Sequence, residues 1–346
     1  MGGNIGPILT KKGISFEDLA NKTVAIDAYN TLYQFLSIIR QRDGTPLMSS
    51  KGSITSHLSG IFYRTSNMLK EGIKPVYVFD GKPPLLKFST IDKRKAVRDE
   101  AIEKYIIAKE NRDFENAIKY AQMSTRLSHE IIDEAVTLLK YLGVPCVFAP
   151  AEGEAQAAFM TIKGDADIVA SQDYDSLLFG STNLVRNLAV SGRRKLPNKN
   201  EYVNISPELY ILNDILEEYG IEREALVDIA ILVGTDYNDG IKNIGPKKAL
   251  KLVKEYGNIE NVLAAIDKNI ENLDEIKNIF LHPAVTEEYR LVWYKPNDDK
   301  LIEFLCDEHD FARERVVKTL NEINTDGQDK INRSKTDQQR TLGEWF

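Results

Sequence analysis

Short apolar runs that end in an acidic residue recur along this chain, and they constrain its fold more than any other feature. Residues 23–27 end in Asp27, residues 75–80 in Asp80, and residues 167–173 in an aspartate. Runs of this kind are typical of buried strands with polar exits. Helix-length amphipathic stretches lie between them, which predicts an α/β fold with a mostly parallel central sheet flanked by helices. Ligands bind beyond the carboxyl ends of such strands, where these acids fall.

Local signals predict three helical regions between the strands. Ser128 is a suitable N-cap and Gly143 a suitable residue just past a helix end, so we expect a helix between them. A second helix is predicted over residues 206–220, because a proline stands just inside its start and a glycine ends it. Residues 92–127 are densely charged and helix-prone, with few positions suited to a core. They predict a solvent-exposed helical excursion.

Composition and length exclude several classes of protein. No apolar run in the 346 residues approaches the roughly 18 that a membrane helix needs. The first residues lack the charged and apolar regions of a secretory signal. We therefore expect an intracellular protein of the cytoplasm or nucleoid, neither secreted nor bound to a membrane. Cys146 and Cys306 lie far apart among apolar residues, and we expect both to be buried free thiols.

The net charge of −7 hides an uneven distribution of charge along the chain. Residues 1–200 carry 27 Lys and Arg against 22 Asp and Glu, and residues 51–100 alone carry 10 against 5. Residues 201–346 reverse the balance, with 18 against 30. A basic face in the first half can bind phosphate groups, while the acidic remainder limits indiscriminate binding. Charges that only solvate helix surfaces fit these counts equally well.

Seven carboxylates stand out by their positions. They are Asp27, Asp80, Glu152, Glu154, Asp173, Asp175 and Asp236. Four of them form pairs two residues apart, and residues i and i+2 of an extended segment project to one side. Clustered anions repel each other unless cations lie among them, and a set of oxygen ligands without nearby Cys or His suits Mg²⁺ or Mn²⁺ better than zinc. Any one of these acids could be an ordinary surface residue, but together they predict a metal site.

Residues 240–249 predict a short hairpin that leads into a helix, just after Asp236. Gly245 permits a close approach, and free backbone N–H groups at a helix start can hold a phosphate without reading bases. The segment resembles a helix-hairpin-helix DNA-binding motif, which would span about residues 228–256. The alternative is an ordinary Gly-Pro loop between two helices.

The chain up to about residue 323 resembles the flap endonucleases of the structure-specific 5′ nuclease family, in their archaeal form. The resemblance rests on residues 24–29, 55–58, 72–84, 149–157, 171–175 and 234–237. It implies cleavage at the base of 5′ flaps in DNA replication and repair, with 5′–3′ exonuclease activity, on single flaps, double flaps and nicked duplexes. It also implies two-metal-ion catalysis. All seven acids would hold two Mg²⁺ ions, directly or through water, and Mn²⁺ could substitute.

The same resemblance assigns roles to residues outside the acidic set. The basic excursion, about residues 84–127, becomes a helical arch through which the flap threads. Lys87 and Arg94 become catalytic side chains at the scissile phosphate, with Arg98 beside them. Tyr33 matches a position that stacks on a base near the cut, and Thr55 lies where a one-nucleotide 3′ flap is received. The other DNA-binding residues that it implies are Gly2, Gly245, Lys247 and Lys248.

Elementary chemistry agrees with these roles but does not require them. Two metal ions can generate the attacking hydroxide and stabilise the leaving oxygen, while Lys and Arg neutralise charge on the phosphate. Hydrolysis should then give a 5′-phosphate and a 3′-hydroxyl. Taken alone, the three cations of the arch could be ordinary solvated helix charges. Tyr33 taken alone could be a core aromatic residue near the first strand.

The end of the chain differs in composition from the nuclease domain predicted over residues 1–323. Residues 324–338 are polar and predict a flexible linker. Residues 339–346 resemble the peptide that binds the DNA sliding clamp, in which a Gln is followed by an aliphatic residue three positions on and then by two adjacent aromatics. Gln339, Leu342, Trp345 and Phe346 fit that pattern. The alternative is a tail that folds back onto the protein's own surface.

Three rival functions remain open on these residues. A small-molecule phosphohydrolase could use the same acidic edge, but it would have no use for the hairpin or the tail. A non-catalytic scaffold at DNA junctions would be expected to lack one or more metal ligands, yet all seven acids are present. Sibling nucleases that act on bubbles, nicks or four-way junctions share the acids and the hairpin. The compact length and the uninterrupted arch favour the flap endonuclease.

Overall fold

Nine strands lie in the part of the chain that the structure describes. The computed structural model describes residues 4–41, 43–188, 192–195 and 202–324, with the backbone alone for residues 192–195 and 202–205. Seven strands form the central sheet, and β7 and β8 form a separate two-stranded ribbon. The strands are β1 (Lys12–Gly13), β2 (Thr23–Asp27), β3 (Lys74–Phe79), β4 (Cys146–Phe148), β5 (Ile168–Ala170), β6 (Asn183–Arg186), β7 (Gly192–Lys195), β8 (Tyr202–Ile205) and β9 (Glu208–Ile211).

The central sheet is mostly parallel, as the sequence predicts. Its strand order is β1-β9-β6-β5-β2-β3-β4. Strands β6, β5, β2, β3 and β4 run parallel, with Ile26 opposite Tyr77 and Ala170 in the shared register. On one side of the sheet, β9 pairs antiparallel with β6, and β1 pairs antiparallel with β9. The carboxyl ends of the five parallel strands therefore lie at one edge.

Helices account for most of the remaining described residues. They are α1 (Ala28–Ile38), α2 (Ser56–Lys70), α3 (Phe88–Glu110), α4 (Phe114–Met123), α5 (His129–Tyr141), α6 (Gly153–Lys163), α7 (Asp175–Leu178), α8 (Leu212–Tyr219), α9 (Arg223–Val233), α10 (Pro246–Tyr256), α11 (Ile259–Ala265), α12 (Leu273–Leu281), α13 (Asp298–Ile302) and α14 (residues 313–324). Short 3-10 turns occur at Gly6–Ile8, Glu17–Leu19 and Leu85–Lys87, and a π-helical turn at Glu303–Glu308 follows α13. Within the described part of the chain, none of these helices has the length and apolar character needed to cross a membrane.

The sheet separates two hydrophobic cores, and β2 contributes to both. Ala25 packs into the core shared with α6 and α9, whereas Val24 and Ile26 pack into the core shared with α2 and α5. Successive side chains of a strand point to opposite faces, so a strand buried on both faces must be continuously apolar. This double burial explains the uninterrupted apolar runs that precede the acids.

Local sequence signals predict helix α5 correctly but place the start of α8 too early. Ser128 accepts a hydrogen bond from the backbone N–H of Ile131, and Gly143 has φ of +73°, so the predicted helix α5 is confirmed. The helix predicted over residues 206–220 is wrong in its first half. Glu208–Ile211 form strand β9, and α8 begins only at Leu212. Pairing with β6 satisfies the backbone of this segment and outweighs its local helix preference.

The two cysteines are free, as predicted, but half-buried and not buried. Cys146 lies on β4, which has a neighbouring strand on one side in the described sheet. Burial raises the pKa of its thiol to about 12. Cys306 lies in the π-helical turn after α13.

The segments predicted to form the arch and the hairpin region contain helices. Helices α3 and α4 follow the Leu85–Lys87 turn, and Ala101 and Ala108 are the buried residues of α3. Helices α9 and α10 are joined by residues 234–245. Helix α14 runs through residue 324, one position into the predicted linker, and buries Val316 and Leu320. The rest of that linker and the predicted clamp-binding peptide lie outside the described residues.

Candidate active site

Three neighbouring parallel strands place four of the predicted acids at one edge of the sheet. Asp27 is the last residue of β2, and Asp80 directly follows β3. Asp173 and Asp175 follow β5, and Asp175 is the first residue of α7. Because β3, β2 and β5 are adjacent and parallel, these carboxylates come together although they are far apart in sequence.

Helix α6 supplies the Glu152 and Glu154 pair at its first turn. Glu152 is the N-cap residue and Glu154 the second helical residue. Between them, the backbone N–H of Gly153 donates to Asp80 Oδ1 at 2.7 Å. A Cβ at position 153 would lie 2.6 Å from that same oxygen. Only glycine therefore allows the helix start to approach Asp80 this closely, which explains the Glu-Gly-Glu spacing.

Ser171 ties three of the acids together and was not singled out by sequence reasoning. Its hydroxyl lies 2.7 Å from Glu154 Oε1 and 3.3 Å from Asp27 Oδ2. The backbone N–H of Asp173 donates to Ser171 Oγ at 3.2 Å. Asn30, also missed, donates to Asp173 Oδ2 at 3.1 Å. Ser171 begins one of the segments on which the resemblance rests, and Asn30 lies three positions after Asp27, so the sequence offered a signal for each.

Asp236 joins the cluster from the opposite side, through two side chains of the arch. Arg94 Nη2 lies 2.6 Å from Asp236 Oδ1. Lys87 Nζ lies 3.7 Å from Asp236 Oδ2 and is also hydrogen-bonded to Glu152. The two predicted catalytic cations thus lie beside the acidic edge, and Lys87 bridges acids that are 84 positions apart in the printed sequence.

Burial and mutual repulsion raise the pKa of the carboxyls on the strand ends. Burial, reinforced by the charges of Asp80 and Asp173, raises the pKa of Asp27 to about 8. Burial and the charge of Glu152 raise the pKa of Asp80 to about 6. Both pKa shifts mean that the surroundings of Asp27 and Asp80 destabilise their anionic forms.

The pKa shifts of the other carboxyls depend on whether cations lie near them. Burial and nearby carboxylates raise the pKa of Glu154, and burial raises that of Asp175 to about 7. Burial alone would raise the pKa of Asp236 as well, but nearby positive charges, among them those of Arg94 and Lys87, lower that pKa overall. A positive charge placed among the other carboxylates would lower their pKa values in the same way.

The donor set fits a hard divalent cation better than any other group. Carboxylate oxygens are what Mg²⁺ and Mn²⁺ prefer, and the raised pKa values show that the cluster favours added positive charge. In the described residues, no three acidic, histidine or cysteine side chains already converge in a metal-binding arrangement. The carboxylates are instead neutralised in part by Lys87 and Arg94.

The arch is joined to the hairpin region by further contacts of α3. Thr90 Oγ1 donates to the backbone carbonyl of Asp236 at 2.7 Å, and Lys93 Nζ lies 2.8 Å from Asp239 Oδ1. Farther along α3, Arg98 donates to the hydroxyl of Tyr33 at 3.0 Å. Tyr33 is half-buried on α1, so it is not a fully buried core residue.

The hairpin presents an open helix start. Gly240 has φ of +69°, and a Cβ there would lie 2.3 Å from the carbonyl oxygen of Val233, so the turn requires glycine. Gly245 is the N-cap of α10, and a Cβ on it would meet nothing within 4 Å. Lys247 and Lys248 are exposed in the first turn of that helix. The backbone N–H groups and the two lysines can therefore receive an anion.

Thr55 and Gly2 are the two remaining residues that were predicted to bind DNA. Thr55 is the N-cap of α2 and is buried, and its backbone N–H donates to the carbonyl of Leu47 at 2.8 Å. Its side chain therefore exposes little surface to a ligand. Gly2 lies outside the described residues.

Comparison with known families matches two segments that carry the site. Residues 5–101 match the XPG N-terminal domain, and residues 143–236 match the XPG I-region. Together these segments contain all seven acids, Lys87 and Arg94. The fold is that of an XPG-type nuclease.

Relatives that match over the full length of the chain show to which family of these nucleases it belongs. The chain is 54% identical over 346 residues to flap endonuclease 1 of Methanococcoides burtonii, with 100% of both chains covered. Its fold is similar to that of flap endonuclease-1 from Methanococcus jannaschii, with a TM-score of 0.75 and 43% identity, over 95% of this chain and 100% of that one. The catalytic core of Rad2 in complex with DNA substrate is more distant, with a TM-score of 0.69 and 26% identity over 92% and 97%. The chain belongs to the flap endonuclease 1 family.

Proposed function

We propose that this chain is a structure-specific endonuclease that cuts 5′ flaps from branched DNA and also acts as a 5′–3′ exonuclease. The observation that carries the proposal is the placement of Lys87 and Arg94 against Glu152 and Asp236 at the base of the arch. A DNA strand that enters beneath the arch would meet phosphate-binding cations and metal-binding carboxylates at one point. The flap endonuclease 1 relatives support this activity, and the Rad2 core supports DNA as the substrate.

Two Mg²⁺ ions, or Mn²⁺ in their place, are the cofactors in this proposal. All seven predicted acids would hold them, some directly and some through water. Bound there, two divalent cations would supply an activated water at neutral pH and stabilise the leaving oxygen. The support for this assignment is the oxygen-only donor set and the raised pKa of Asp27, Asp80 and Asp175.

Lys87 and Arg94 act on the phosphate in this proposal. Lys87 is mostly buried beside Glu152, so its charge is only weakly screened by solvent. Arg94 presents a planar fork of N–H donors, which suits the oxygens of a phosphodiester. Both charges oppose the negative charge that develops on the phosphate during hydrolysis, and this favours the transition state. The products are a 5′-phosphate and a 3′-hydroxyl.

The remaining contacts position the DNA. Gly245, Lys247 and Lys248 hold a backbone phosphate of the duplex at the start of α10, without reading bases. Tyr33 stacks on a base near the cut, and Arg98 accompanies it, since the two side chains are already hydrogen-bonded. Gly2 and the region around Thr55 complete the DNA contacts, the latter receiving a one-nucleotide 3′ flap.

The end of the chain serves recruitment in this proposal. Residues 1–323 form the nuclease domain, residues 324–338 a linker, and residues 339–346 a peptide that binds the DNA sliding clamp. Leu342, Trp345 and Phe346 are the apolar anchors, and Gln339 bonds at the rim. The sequence pattern of these four residues is the support for this part of the proposal.

A panel of DNA substrates tests the proposed activity. End-labelled single-flap, double-flap, nicked and bubble substrates are cut in parallel, with and without Mg²⁺, and Asp80→Ala protein serves as the inactive control. We expect the flaps to be cut fastest, only with a divalent cation, and with a 5′-phosphate on the product. Preference for the bubble would place the chain with the sibling nucleases. Turnover of small phosphate esters alone would support the rival phosphohydrolase.

A further inference from the structure

Arg186, on strand β6, contacts the turn that carries Asp173 and Asp175, and it also lies beside Glu208 and Tyr210 of β9. Its Nε donates to the backbone carbonyl of Gln172 at 2.9 Å. Its guanidinium carbon lies 4.1 Å from the ring centroid of Tyr174, and Nη1 donates to the hydroxyl of the same residue. One side chain thus holds the backbone before the first acid and the ring between the two acids.

Tyr174 also makes contacts on its other sides. Its ring packs edge-on against Tyr210, with centroids 5.4 Å apart, and the two hydroxyls lie 3.4 Å from each other. Tyr210 in turn donates to Glu208 Oε2 at 3.0 Å, and Glu208 pairs with Lys11 at 2.6 Å. These contacts join the turn to the antiparallel side of the sheet.

The N-terminal segment packs on the same ring. A Cβ on Gly6 would lie 2.8 Å from the hydroxyl oxygen of Tyr174, so the backbone of the Gly6–Ile8 turn lies directly against it. Tyr174 therefore lies between strand β6, strand β9 and the Gly6–Ile8 turn. Arg186 is the cationic side chain that stacks on this ring.

We propose that Arg186 is a positioning residue, which holds the Gln172–Asp175 turn so that both carboxylates face the same point. The proposal rests on the metal-binding role assigned to Asp173 and Asp175 under the proposed function. Two carboxylates two residues apart repel each other, so their turn needs an external restraint to keep both facing the site. A guanidinium supplies one, because its planar fork can donate to a carbonyl and stack on a ring at once, which an ammonium group cannot do.

Binding of Mn²⁺ alone, measured by calorimetry on the full chain without DNA, tests this role. Partners of metal ligands typically contribute about 10- to 100-fold in metal affinity. We expect Arg186→Gln to weaken Mn²⁺ binding by that factor while the circular dichroism spectrum stays folded. Arg186→Lys keeps the charge but loses the fork and the planar stack, so it should recover little of the affinity.

Arg223→Gln is the matched control. Arg223 is another half-buried arginine that donates to backbone carbonyls, those of Leu178, Phe280 and Leu281, and its hydrogen bonds do not involve the seven acids. Its loss should lower the melting temperature without changing Mn²⁺ affinity. Asp173→Ala is the positive control and should remove most of the binding.

The outcomes separate this inference from the proposed function. If Asp173→Ala weakens Mn²⁺ binding but Arg186→Gln binds like the wild type, Arg186 has no positioning role. The same holds if Arg186→Gln and Arg223→Gln lose stability equally and neither loses affinity. If Asp173→Ala leaves Mn²⁺ binding unchanged, the metal assignment itself fails. If Arg186→Gln does not fold, Tyr174→Leu, which removes the ring held by Arg186, must weaken Mn²⁺ binding for the inference to stand.

Discussion

The acidic edge of the sheet and the arch above it carry opposite charges and are held in place by very different structures. Asp27 and Asp175 are each only 6% exposed, and both follow buried strands. Helix α3 of the arch has 23 residues, of which Ala101 and Ala108 are buried. The carboxylates are therefore positioned by the core itself, whereas the cations of the arch are positioned by a few polar contacts.

Because of this difference, we expect substitutions in the two regions to have different effects. An exposed pair such as Lys93 and Asp239, with side chains 62% and 88% exposed, contributes little to stability because solvent screens it. Regions with few buried contacts open at low free energy. We expect changes at the edge to alter the chemistry and most changes in the arch to alter access, with Arg94 and Lys87 as the exceptions because they touch both.

The largest effect is expected at the edge. Asp80→Ala or Asp173→Ala should reduce cleavage of a flap substrate to near the limit of detection, because each removes a carboxylate from the metal-binding set. Binding of the flap, measured by fluorescence anisotropy, should survive, since the arch and the hairpin remain. Asp239→Ala, which removes an exposed acid paired with Lys93 of α3, is the control and should cut normally. Near-wild-type cleavage by both edge variants would exclude the two-metal assignment.

The next largest effect is expected where the arch touches the edge. Arg94→Ala should lower kcat by roughly 100- to 1000-fold at saturating substrate, because it removes a charge that acts on the phosphate in the transition state. Single-turnover rates measure this directly. The neighbouring Lys93→Ala, which removes an exposed charge of the same helix, should change the rate by less than about threefold. A change confined to KM would place Arg94 on the outer surface of the arch.

A smaller effect is expected in the pH dependence of stability of the chelator-treated protein. The pKa of Asp27 is about 8, and that of Asp175 about 7, against 3.8 for a free aspartate. Between these values the folded state binds more protons than the unfolded state, so the free energy of unfolding should fall as pH rises from about 4 to about 8. Urea unfolding at several pH values measures the slope. Saturating Mg²⁺ should flatten it.

His309 requires a control in this experiment. Its hydrogen bond to Glu134 raises its pKa, so stability from that pair is also lost as pH rises. Asp27→Asn isolates the acidic edge, because it removes one of the raised carboxyls and leaves His309 in place. A slope that neither Mg²⁺ nor this variant reduces would mean that the edge does not control the pH dependence.

The smallest effect on the enzyme itself is expected at the end of the chain. Deletion of residues 339–346 should leave free cleavage and the melting temperature unchanged, because the proposed role of this peptide is recruitment to the clamp. Stimulation by the sliding clamp and co-elution with it should disappear. A markedly lower melting temperature would instead support a tail that caps the protein's own surface, and full clamp affinity would show that binding lies elsewhere.

Some features of the site follow from local sequence because they depend on neighbours along the chain. A continuous apolar run must be buried on both faces, so β2 and β3 and the acids at their ends could be predicted. Ser128 and Gly143 act on backbone groups within four residues of themselves, and they bound α5 as expected. The chemistry of the oxygen-only donor set is likewise a property of residue types.

Other features depend on residues that only the fold brings together. Glu208–Ile211 became a strand because β6 lies beside it, and local helix signals carried no information about that partner. The bridge from Lys87 to Glu152 and Asp236, and the closeness of Gly153 to Asp80, join residues more than 60 positions apart. The sequence by itself determined which groups could bind metal and phosphate and which strands would carry them. Only the tertiary structure decided which of them meet, because burial and charge pairing act through space and not along the chain.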